Sequence, residues 1–105
     1  MQTHNKDAYG YKLYCDFGED VSASTEFTMT ITPQRGDDIT VTPSIEATAN
    51  TVGERTYAAN KHVSYTVPSG KFDSFVGRYR MMATALVGTE MKASKWQEFK
   101  ITEGA

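Results

Sequence analysis

The chain has 105 residues, 39% of them hydrophobic and 23% charged, with a formal net charge of −2. That is the size of one domain with a thin core, and a chain this small often draws part of its stability from a partner. Its scattered Lys and Arg residues exclude the basic stripe of a dedicated nucleic-acid binder, and a single cysteine, Cys15, excludes an internal disulfide.

Residues 1–8 are polar and aperiodic and read as a flexible N-terminal arm, unless a neighbour orders them. No apolar run approaches the ~20 residues of a membrane span, so the expectation is no secretory leader, no membrane insertion and synthesis in a cytosol. From residue 9 to 105 the pattern is that of one all-β domain. Tyr9, Tyr11, Leu13, Cys15 and Phe17 share one parity, which predicts a first strand with Cys15 as a small buried hydrophobe. Gly18-Glu19-Asp20 turns the chain. Residues 25–32 alternate cleanly, with Phe27, Met29 and Ile31 inward and Thr28, Thr30 and Thr32 outward.

A turn at 33–38 follows, using Pro33 and Gly36. Ile39, Val41 and Ile45 resume the alternation, and Pro43 marks an edge or a bulge there. Residues 48–60 carry no periodicity and read as a long loop of about thirteen residues, a length at which function is common. Val63, Tyr65 and Val67 predict another strand. Phe72 and Phe75 suit a short helical turn plugging the end of the fold.

Residues 77–88 form the central strand. Tyr79, Met81, Ala83, Ala85 and Val87 make an apolar face, while Arg78, Arg80, Met82, Thr84 and Leu86 run from charged to apolar on a partly covered one. Residues 89–95 are a connection or a short strand. The last strand, 96–102, turns Phe99 and Ile101 inward. About seven strands spaced by ~8–15 residues predict an Ig-like antiparallel β-sandwich.

Chemistry-bearing patterns are sparse. The acidic pairs Glu19-Asp20 and Asp37-Asp38 lack the alternating oxygen spacing of a calcium loop, and His4 and His62 lie too far apart to begin a zinc site. No nucleophile elbow, Cys-His pairing or glycine-rich phosphate loop can be made out. The expectation is a non-enzyme without cofactor or metal. Most tyrosines fall on inward parity and read as core. Tyr14, Tyr57 and Trp96 are the exceptions, and exposed aromatics beside Lys or Glu commonly mark an interface.

The run from Asp16 to Thr25 (DFGEDVSAST), then Pro33-Gln34-Arg35-Gly36, Val63-Ser64-Tyr65-Thr66-Val67, Gly77-Arg78-Tyr79 and Phe99-Lys100-Ile101, resembles small tailed-bacteriophage structural proteins with an Ig-like sandwich. It is similar to the N-terminal domain of the baseplate upper protein family and its free-standing relatives. There, D-x-G-E-D-[VL]-S leads into a strand ending in P-x-G, and V-x-Y-x-V, G-x-[WY] and F-x-[VI] follow. The likeness spans residues 16–102, with a longer 48–60 loop and Tyr79 where Trp is common. It implies a non-enzymatic virion component, assembled in the host cytoplasm in many copies and contacting tail, baseplate or capsid subunits. The unpatterned segments then become the expected contact sites, through His4, Asn5 and Lys6 in the arm and Arg55 and Tyr57 in the loop. The alternative is a carbohydrate-binding module contacting a host surface.

Overall fold

Strand β9 (Gly77–Val87) is the longest strand among the described residues, and its burial follows the parity read from the sequence. Tyr79, Met81, Ala83 and Ala85 are buried, while Arg78 and Arg80 are exposed and Met82, Thr84 and Leu86 half-buried. In the computed structural model, which describes residues 2–72 and 75–103, β9 lies at the centre of the larger of two packed sheets. Strand β3 (Glu26–Pro33) pairs along one side of it over eight residues, from Glu26 opposite Leu86 to Pro33 opposite Tyr79. Beyond β3 lies the edge strand β4 (Ile39–Val41).

The other side of β9 is shared by two shorter strands. Strand β10 (Glu90–Ala93) folds back through the Gly88-Thr89 turn and covers residues 84–87. Gly88, at φ 64°, supplies the positive φ that a two-residue hairpin turn requires. Strand β11 (Gln97–Thr102) covers residues 77–81. The smaller sheet orders β2 (Lys12–Asp16), β8 (His62–Thr66) and β5 (Ser44–Ile45). Pro43 sits where the chain leaves the edge strand β4 and joins the edge strand β5, a place where a missing N–H costs the ladder nothing.

The core fills the space between these sheets. Leu13, Cys15 and Val63 come from the smaller sheet, and Met29, Ile31, Met81, Ala83 and Ile101 from the larger. One end is closed by aromatic rings. Phe72 lies 5.0 Å from Tyr79 and 5.4 Å from Phe99, and the Tyr79 hydroxyl donates to the Phe75 carbonyl at 2.6 Å. The plug expected from Phe72 and Phe75 is therefore present. Part of its predicted helical turn, at Asp73 and Ser74, lies outside the described residues, as does Met1 of the predicted arm. No helix occurs among the described residues.

The fold is an all-β, sandwich-like one, as expected, but the described residues are divided into eleven strands rather than about seven. Three differences account for this. Pro43 splits one predicted strand into β4 and β5. Residues 48–60, read as a loop, contain the hairpin β6 (Asn50–Val52) and β7 (Arg55–Tyr57). Finally, Gln2–Asn5, read as a flexible arm, form strand β1, which pairs with β11 in the one parallel ladder of the described sheets, Gln2 opposite Phe99 and Asn5 opposite Thr102. The neighbour that orders this segment is the chain's own last strand, whose open edge takes backbone hydrogen bonds from any sequence.

Candidate functional site

The five residues expected to bind partners are engaged within the chain. The His4 ring stacks on Tyr11 at 3.7 Å and nearly parallel, and burial pulls its pKa below the usual histidine value. Asn5 Oδ1 accepts the Asp7 N–H at 2.8 Å, closing a turn at the end of β1. Lys6 Nζ pairs with Glu103 at 3.1 Å and its backbone N–H donates to the Thr102 carbonyl. Arg55 lies over the Tyr57 ring at 4.8 Å and reaches Asp16 Oδ2 at 3.5 Å.

Tyr57 corrects the sequence reading most. It was expected to be exposed, as was Tyr14, yet only 4% of Tyr57 is accessible and Tyr14 is buried with it. The two rings stack at 5.1 Å, and both meet the His62 ring within 5.6 Å. The β6–β7 hairpin folds against the outer side of β2 and β8 and buries the residues whose parity points out of the main core. His62, fully buried, anchors it: Nδ1–H donates to the Ala58 carbonyl at 2.7 Å, and Nε2 lies 2.8 Å from the Asn50 side-chain amide. Tyr14, Tyr57 and His62 thus form a second, smaller core, and His62 is scaffold rather than ligand.

Between the hairpin tip and the beginning of β11 the surface opens into a hollow of about 840 Å³. Its walls bring together three segments distant in sequence: Gln2 from β1, Arg55 and Tyr57 from the hairpin, and Trp96 just before β11 with Gln97 and Glu98 at its start, with Met81 also lining it. Gln97 ties two of the walls. Its Nε2 donates to the Tyr14 carbonyl at 3.0 Å and its Oε1 accepts from Arg55 Nη2 and Nη1 at 3.2 and 3.3 Å. The Tyr57 hydroxyl lies 3.3 Å from the end of the same amide. This network closes the open side of β2 and sets the hairpin at a fixed height over β11.

Trp96 stands at the rim, 47% exposed, with the Arg80 guanidinium 4.6 Å from its ring centroid. The cation covers part of the ring and restrains its rotamer. Of the three aromatics expected to be exposed, Trp96 alone is. Arg55 and Tyr57 reach the hollow, whereas His4 and Asn5 lie farther along β1 and Lys6 just beyond it. Gln2, Arg80, Gln97 and Glu98 were not singled out from the sequence. Outward parity of Arg80 and Glu98 was legible, but not their register, which sets the two directly opposite each other.

No group of three His, Cys, Asp or Glu side chains among the described residues is arranged to hold a metal ion, and no helix among them is long and apolar enough to cross a membrane. No protein-family model matches the chain, and no curated protein matches it.

Proposed function

We propose that the chain is a non-enzymatic structural subunit of a bacteriophage virion, on tail, baseplate or capsid, held there by protein–protein contacts. The likeness of residues 16–102 to small phage sandwich proteins supports the virion. The observation that carries the mode of contact is the edge position of β1, at the end of the larger sheet. Lys6 N–H donates to the Thr102 carbonyl, so in this parallel ladder the even-numbered residues bond inward and Thr3 turns its backbone groups away from β11. An edge strand with unpaired N–H and C=O groups is a template for a strand from another chain. The segment read as a docking arm serves the same end as an ordered edge, with less entropy lost on docking than a loose arm loses.

Thr3→Pro tests this. It removes one outward N–H and leaves the β1–β11 ladder intact, a position where a strand tolerates proline. The variant is expected to melt as the parent does and to be depleted from purified particles, as read by quantitative mass spectrometry. In the parent protein the Thr3 amide should exchange fast when free and slowly in the particle. Undiminished incorporation of Thr3→Pro, with fast exchange at Thr3 in the particle, overturns the strand-addition reading. Absence of the protein from particles overturns the virion reading itself.

A further inference from the structure

We propose that the hollow beside Trp96 is a binding site for a neutral oligosaccharide. A sugar ring offers an apolar C–H face and a rim of hydroxyls, so it is recognised by an aromatic plane flanked by planar polar groups that both donate and accept. The hollow has that composition. Trp96, an exposed residue, supplies the plane, and Arg80 holds the ring in position from one side. Glu98 supplies the acceptor. Its nearest ionic partner, Arg78, lies 3.9 Å away, which leaves most of the lone pairs of the carboxylate open to hydroxyl donors. Arg55 supplies the donor: its guanidinium carries five N–H groups, and its contacts with Asp16 and Gln97 leave some of them for a ligand.

The charges lining the hollow are mixed in sign, Glu54 and Arg55 at the hairpin tip and Glu98 on the sheet, with Arg80 beside the Trp96 ring. A field of mixed sign selects neither an anion nor a cation, and it suits a ligand that is uncharged and rich in hydroxyls. The size agrees. About 840 Å³ lies in the upper part of the ~300–1,000 Å³ range of small-molecule sites and exceeds what a single monosaccharide fills. The walls are also set in advance, because Gln97 cross-links the hairpin to β2 and β11, so little ordering is required on binding.

Trp96 is the one tryptophan of the chain, so its emission reports directly on the site. Titration with short neutral oligosaccharides of hexoses and of N-acetylhexosamines is expected to give a saturable change in Trp96 emission with at least one of them. Calorimetry with that sugar should then show no binding to Trp96→Ala and binding weakened about tenfold or more in Glu98→Gln, which keeps an acceptor oxygen but loses the charge that strengthens its hydrogen bonds. Both positions are exposed, and unchanged melting curves establish that the variants fold. Thr3→Pro should bind the sugar as the parent does, which separates this site from the docking edge. Saturation by no sugar, full affinity in Trp96→Ala, or saturation by a proline-rich peptide alone would each overturn the proposal.

Discussion

Ser94 and Ala83 are bound to each other twice: the Ser94 N–H donates to the Ala83 carbonyl at 2.9 Å, and the Ala83 N–H donates to Ser94 Oγ at 2.9 Å. Ala83 is fully buried, and it sits where β10 has ended and β11 has not begun. A side chain therefore stands in for a missing strand carbonyl and joins the two short strands along one edge of β9. Ser94→Ala leaves the Ala83 N–H without that partner in the interior, and a loss of about 1–3 kcal/mol in urea unfolding is expected. An unchanged midpoint would mean that another group takes the Ala83 amide.

Met81→Asp introduces a carboxylate at a position only 3% exposed, in the apolar core that Leu13, Cys15 and Val63 of one sheet and Ile31 and Phe99 of the other also fill. The expected cost is several kcal/mol, roughly enough to unfold a domain of this size at room temperature. Circular dichroism on heating is the check, and a melting temperature equal to that of the parent would contradict the inward position of Met81.

Glu46 ties β5 and β8 to β2, accepting from Ser64 Oγ and from Lys12 Nζ at 3.1 Å. The Ser64 hydrogen bond is the largest influence on its carboxyl, burial opposes it, and Lys12 adds to it; the net effect holds the pKa below the usual glutamate value. The folded state then binds this proton less readily than the unfolded one. Its contribution is fully present above the unfolded value of about 4.3 and is lost as pH falls through the lower folded value. Glu46→Gln should destabilise the protein at neutral pH and flatten the decline in stability below about pH 5, measured as denaturation midpoints across pH. Parallel pH curves for parent and variant would exclude the linkage.

Cys15 is fully buried, and burial pushes its thiol up to about 12, against a smaller opposing effect of a hydrogen bond with Ser94. Thiolate is the reactive species, so almost none exists at neutral pH. A thiol reagent should leave the native protein unmodified for hours and label it stoichiometrically in denaturant. Rapid labelling under native conditions would indicate that β2 opens readily from the sheet.

The parts of the fold that the sequence made legible are those in which one face is buried and the other is wet. Residues 79–87, 27–31 and 99–101 alternate, and their inward residues are the core. The β6–β7 hairpin escaped notice because it covers the second face of β2 and β8, so Leu13, Tyr14 and Cys15 are buried in succession and parity ceases to report direction. Gln2–Asn5 carry no apolar pattern, since what holds β1 is backbone pairing and the stacking of His4 on Tyr11. As for the hollow, Trp96 could be noticed as an aromatic on an outward position. Its meeting with Gln2 and Arg55 depends on long-range pairing that no local pattern encodes.

The pairing of β1 with β11 also bears on the order in which the molecule assembles. Gln2 lies opposite Phe99, so this ladder closes a loop of nearly the whole chain. Such a closure carries the largest entropic penalty of any contact in the fold, and it has no template until β11 has joined β9. The β9–β10 turn, by contrast, closes through two residues and needs nothing else in place. Folding is therefore expected to run from the hairpin at Gly88 outward, with the first residues of the chain joining last. Loss of structure is expected to follow the reverse order, with β1, retained by one neighbouring strand, fraying ahead of any disturbance of the core.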